Sequence, residues 1–100
     1  MAIRMIVSDL DGTLLDSAYR LSAETKAALQ EAAGEGVRVL LATGRMFASA
    51  VRYAKELALD TPVISHNGGV VQEMDGTLLH ADFLAAETAA QVLHYIFTRG

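Results

Sequence analysis

The 100-residue sequence has no cysteine, a single proline and only 20% charged residues. Without cysteine, disulfides and thiolate metal sites are excluded, and the redox compartment stays open. The 8 basic residues are outnumbered by 12 acidic ones, for a net charge of −4. No basic stretch offers counter-charge to a nucleic acid backbone. The apolar runs are too short to cross a bilayer, and Met1-Ala2-Ile3-Arg4 lacks the apolar stretch of a signal peptide. The expectations are therefore a cytoplasmic location, no nucleic acid and no membrane. Hydrophobic residues are abundant, at 52%, which favours a globular core over disorder. This length is one domain or part of one.

Ile3 to Ser8 is an apolar run of strand length, of the kind that suits a strand buried on both faces. Asp11-Gly12-Thr13 breaks it. Ser22 is placed to cap a helix, with Leu21, Thr25, Ala28, Leu29 and Ala32 at helical spacing and Gly34 and Gly36 at its end. Val37 to Ala42 reads as a second buried strand, and Thr43-Gly44-Arg45 turns out of it into a helix with an apolar stripe from Phe47 to Ala58. Pro62 stops that helix, and Val63 to Ser65 forms a third strand. Asn67-Gly68-Gly69 is a turn. Asp75-Gly76 predicts a two-residue hairpin between Val70–Glu73 and Thr77–His80. A last helix is expected from about Ala85 to Phe97. Alternating strands and helices predict an α/β fold with a parallel sheet and right-handed crossovers. Ligands of such sheets bind beyond the carboxyl ends of the strands. Asp9 and Asp11, Thr43-Gly44-Arg45, and Ser65-His66-Asn67 occupy those ends.

Asp9 and Asp11 are two apart, so in extended backbone they point the same way. Two carboxylates together call for a cation or a raised pKa on one of them. Magnesium suits such oxygens and bridges carboxylates to phosphate. One carboxylate can attack phosphorus, and the other can carry the proton to the leaving alcohol and take one from water. Gly12 permits a sharp departure of the chain, and Thr13 adds a hydroxyl and an amide. Helix-start amides at Thr43 and Gly44 would attract an anion, with the Thr43 hydroxyl on a phosphoryl oxygen and Arg45 reaching a second one.

Asp9-Leu10-Asp11-Gly12-Thr13-Leu14 resembles the first motif of the haloacid dehalogenase (HAD) superfamily. Leu41-Ala42-Thr43-Gly44-Arg45 resembles its second motif in the Cof-type sugar phosphatases, and Ser65-His66-Asn67-Gly68-Gly69 is similar to the pattern that follows in them. The resemblance implies a three-layer, Rossmann-like core with a β-hairpin. It implies Asp9 as nucleophile and magnesium ligand, and Asp11 as general acid/base whose backbone carbonyl also contacts magnesium. It implies Thr43 as phosphoryl-binding residue, and a small phosphorylated metabolite as substrate. Asn67 either lines the site or shapes the turn. Relatives of this type carry a later lysine, a later acidic cluster and a large cap. Here Lys26 and Lys55 lie in helical stretches, and Asp75 and Asp82 stand alone. The expectation is a partial domain: residues 1–82 as the leading part of the core, and 83–100 as the first cap helix. Such a chain should be weakly active or inactive alone. Its first strand should have an open edge that invites pairing with a second copy.

Two rivals stay in view. A receiver-like phospho-acceptor domain would need a carboxylate at the third strand end, where Ser65, His66 and Asn67 stand. A non-catalytic phosphate- or metal-binding fragment is compatible with the missing motifs. Dinucleotide and P-loop glycine motifs are absent, and His66, His80 and His94 lack metal-ligand spacing.

Overall fold

The structure, a computed structural model, describes residues 2–99. Strand β1 (Met5–Ser8) pairs in parallel with β2 (Arg38–Leu41), from Met5 against Arg38 to Ser8 against Leu41. Parallel neighbours need a crossover, and helix α1 (Ala23–Gly34) supplies it. Ser22 caps α1 as expected, its hydroxyl accepting the Thr25 N–H at 3.1 Å. Helix α2 (Phe47–Glu56) leads to β3 (Val63–Ser65). Ala50, Tyr53 and Ala54, at helical spacing, form its buried face.

Strand β3 joins β2 through one parallel pairing, Ala42 with Ile64, and the Thr43 amide donates to the Ile64 carbonyl at 2.9 Å. The Thr61 hydroxyl donates to the Val39 carbonyl and fastens the other end. On its far side β3 pairs antiparallel with β4 (Val70–Gln72), which pairs with β5 (Leu78–Ala81). Helix α3 (Ala86–Arg99) follows.

The core lies on one face of the sheet. Val39, Leu41 and Val63 meet Ala50, Ala54 and Leu57 there, and Leu10 and Leu15 close the top. Leu29 of α1 packs on the same cluster. Two successive right-handed crossovers in one direction put both helices on that side. Leu10, Leu41 and Leu57 are essentially water-free, and each such burial contributes roughly 1.5–3 kcal/mol.

Three expectations need correction. Strand β1 is not buried on both faces: Ile3, Met5 and Val7 are 70%, 51% and 50% exposed. Among the described residues no strand flanks it on the side away from β2, and no helix covers the face that Met5 and Val7 share. The described residues thus supply two of the three expected layers. The hairpin loop has three residues, not two. The Gly76 amide donates to the Glu73 carbonyl at 2.9 Å and the Glu73 amide to the Thr77 carbonyl at 2.8 Å. Gly76 takes φ +93°, the left-handed position of a three-residue hairpin. Finally, α2 starts at Phe47 with Met46 at its N-cap, so Thr43 and Gly44 lie in a turn ahead of the helix.

Candidate active site

The carboxyl ends of β1, β2 and β3 surround an open depression of about 340 Å³. Asp9, Thr43, Gly44 and Asn67 line it, together with Ala42, Ile64 and Gly68. Four of the residues singled out in the sequence are therefore brought together. The Asp9 carboxylate accepts the Leu10 amide at 2.8 Å, which fixes its direction as the strand ends.

The second wall is locked to the third. The Asn67 amide donates to the Thr43 carbonyl at 2.9 Å, and the His66 amide to the Arg45 carbonyl at 3.0 Å. His66 and Asn67 both take left-handed backbone, at φ +51° and +55°. Asn is one of the residues that tolerates this region. The turn carries the Asn67 side chain against Gly44, where a methyl on Gly44 would sit 2.9 Å from Asn67 Oδ1. Asn67 thus lines the site and shapes the turn at once.

The remaining site residues are placed elsewhere. After Asp9 the chain leaves the strand, and the amides of Thr13, Leu14 and Leu15 all donate to the Leu10 carbonyl, at 3.3, 3.0 and 2.9 Å. Gly12, at φ +75°, makes that turn possible. Gly12 and Thr13 build the turn and do not line the depression, and the Thr13 amide is already engaged. Asp11 is not among the residues that line the depression with Asp9. Its carboxylate is taken by Arg45, with Nε donating to Oδ2 at 2.8 Å and Nη2 to Oδ1 at 2.7 Å. Arg45, expected on a phosphoryl oxygen, is the partner of Asp11 instead.

The electrostatics follow. The Arg45 hydrogen bonds hold the Asp11 carboxyl below its ordinary range, and Asp11 in turn raises the Arg45 guanidinium. The paired acids do call for a cation, and an arginine supplies it to one of them. One of the two amides expected to receive an anion is also spoken for: the Thr43 amide donates to the Ile64 carbonyl. The neighbouring Arg45 amide donates to Thr43 Oγ1 at 3.1 Å.

For magnesium, the donor set is thin. Asp9 offers a carboxylate at the depression, while both Asp11 carboxylate oxygens are bound to Arg45. Among the described residues no group of three or more metal-ligating side chains gathers. One carboxylate with backbone, water and phosphate oxygens fits magnesium, which keeps much of its water.

Three residues that the sequence did not single out for the site surround Arg45: Tyr19, Ser49 and Tyr53. Ser49 and Tyr53 follow Arg45 in four-residue steps, a helical period that was legible. Tyr19 carried no such signal.

A family model for haloacid dehalogenase-like hydrolases matches residues 6–100. Phosphatase YwpJ of Bacillus subtilis is 34% identical over 94 residues, which cover 94% of this chain and 33% of that protein. HMP-PP phosphatase of Shigella flexneri is 34% identical over 91 residues, 91% of this chain and 34% of that protein. The solved structure of a haloacid dehalogenase-like hydrolase from B. subtilis superposes with a TM-score of 0.85 at 33% identity, covering 97% of this chain and 34% of that one. The chain spans about a third of the length of these relatives. With the fold, the strand-end depression and a match over nearly all of its residues in agreement, the chain belongs to the haloacid dehalogenase-like hydrolases.

Proposed function

We propose that this chain is the leading part of a phosphatase that hydrolyses small phosphomonoesters, sugar phosphates among them, through an aspartyl-phosphate on Asp9. One observation carries the reading: the Asp9 carboxylate opens into the same depression as Thr43, Gly44 and Asn67. A nucleophile then faces the groups that would hold a phosphoryl oxygen. Asp9 attacks phosphorus and the ester oxygen leaves. Asp11 protonates that oxygen, and later takes the proton of the water that attacks the acyl phosphate, regenerating Asp9. Asp11 is ionised while Arg45 holds it, which suits the second half. The first half requires Asp11 to have taken up a proton from solvent.

Magnesium would be held by the Asp9 carboxylate and the Asp11 backbone carbonyl, and would neutralise phosphoryl charge. Residues 1–82 form the core part of this reading and 83–100 the start of a cap. Family names of relatives as phosphatases support it. The expected location is cytoplasmic; no helix among the described residues is long and apolar enough to cross a membrane.

Magnesium titration of the chain followed by NMR, with and without Asp9→Ala, tests it. The native chain should show saturable shifts at Asp9 and Leu10 that the variant loses. Equal responses would overturn the reading and favour an inert scaffold. The isolated chain should turn over phosphomonoesters weakly or not at all, because no lysine lines the depression and charge neutralisation is incomplete. Ordinary enzyme rates from the 100-residue chain would contradict that.

A further inference from the structure

Arg45 is held from several sides. Two of its N–H groups end on Asp11, at 2.8 and 2.7 Å, and Nη1 donates to the Ser49 hydroxyl at 2.9 Å. Its guanidinium carbon lies 5.7 Å from the centre of the Tyr19 ring and 5.3 Å from that of Tyr53, both within cation–π range. Tyr53 is buried, and its hydroxyl donates to the Tyr19 carbonyl at 3.0 Å, tying α2 to the loop before α1.

That loop is itself fixed. Leu15 pairs antiparallel with Leu21. Asp16 Oδ1 accepts the amides of Ala18 and Arg20, at 2.8 and 3.0 Å. Tyr19 sits at the tip in left-handed backbone, at φ +60°, and is 62% exposed as a residue. An exposed aromatic on strained backbone is unfavourable unless the surrounding structure holds it there. Here the bound carbonyl and the arginine beneath the ring do so.

We propose that Tyr19 and Tyr53 clasp Arg45 as a positioning residue for Asp11, leaving an incoming phosphoester to be met by Thr43 and Gly44. The inference rests on the reading of Asp9 and Asp11 given above. An arginine that had to swing onto a phosphate would break two charge-assisted bonds arranged as a fork, the stronger kind. It would also give up both aromatic faces and strip Asp11 of its counter-charge. Three of its five N–H donors are already used. The clasp is thus a support for the carboxylate, and the Tyr19 loop becomes part of the site although it does not line the depression.

The test is NMR on the whole chain, reading the Arg45 Nε–H signal and its water exchange in native protein, Tyr19→Phe and Tyr19→Leu. Core methyls of Leu10 and Leu41 report folding. Tyr19→Phe keeps the ring and should match the native chain. Tyr19→Leu should speed Nε–H exchange by roughly two- to fivefold, the span one cation–π contact carries at a partly exposed site. Unchanged exchange in Tyr19→Leu, or equal loss in Tyr19→Phe, would overturn the clasp. If Tyr19→Leu fails to fold, NOEs between the Tyr19 ring and the Arg45 side chain in the native chain decide, and their absence overturns it. A second arm titrates inorganic phosphate into the native chain. Shifts at Thr43 and Gly44 with a preserved Arg45 Nε–H signal are expected. Loss or large movement of that signal would make Arg45 the anion-binding arm and refute the proposal. The Tyr19 arm is read without phosphate, so it stands or falls separately from the phosphatase reading.

Discussion

Gly44 and Asn67 approach so closely that a single methyl group tests the wall of the site. In Gly44→Ala the new carbon meets the end of a side chain, Asn67 Oδ1, and not backbone. The side chain can swing aside, so the stability cost should stay near ~1 kcal/mol, the low end for overpacking. The Asn67 side-chain amide signals should move clearly; unchanged signals with a larger loss of stability would show that Asn67 is rigidly held. Asp16 gives a pH-dependent test at the same scale. The Arg20 and Ala18 amides hold its carboxyl below its ordinary value, so the folded state favours the charged form. That contribution is complete above the unfolded value, about 3.9. It is lost as pH falls through the lower folded one. The gap in melting temperature between native and Asp16→Ala chains should be constant from pH 7 to 5 and close below pH 4. A gap that widens on acidification would refute the assignment. These residues also mark what the sequence could reveal. Asp9, Thr43 and Gly44 were legible because strand ends in parallel sheets gather polar groups. The Asp11–Arg45 pairing was not, since 34 residues separate the partners and only the finished fold brings them together.

Strand β1 is the element whose surroundings differ most from its composition. Ile3, Met5 and Val7 form an apolar run that reads as interior, yet they are half or more exposed. Pattern shows what a strand could bury, not whether a partner exists to bury it. Strand β2, with β1 on one side and β3 bridged on the other, meets the same kind of expectation over Val39 to Leu41, which are buried, while Arg38 at its start is exposed. An unpaired edge with apolar flanks templates pairing. We therefore predict concentration-dependent self-association through β1. It should be visible as a rising weight-average mass in sedimentation and be reduced by Val7→Lys. A native chain that stays monomeric at high concentration would refute it. Helix α1 was read well because its cap is chemical and local. Ser22→Ala should cost about 1 kcal/mol in denaturant melts. Helix α2 begins at Phe47, where its apolar stripe begins, and not at Thr43, since the Thr43 hydroxyl accepts the Arg45 amide and closes a turn first.

Taken whole, the molecule measures 53 × 30 × 28 Å, with a radius of gyration of 16.6 Å. A compact chain of this length would give about 13 Å. One small one-sided core carries the structure, so it has little in reserve. Leu41→Ala removes a side chain that is 1% exposed and should cost about 2–5 kcal/mol. That is a large share of a total of roughly 5–15 kcal/mol. A loss below 1 kcal/mol in urea titration would show that the cluster around Leu41 is not the centre of stability. The length of the molecule points to α3, no residue of which is buried. For a protease such a helix is the first open door. Chymotrypsin should cut after Phe83 and Leu84, both well exposed, long before it reaches Tyr53. The stable digestion product would then end near β5, with Asp9, Thr43 and Asn67 intact on a trimmed body.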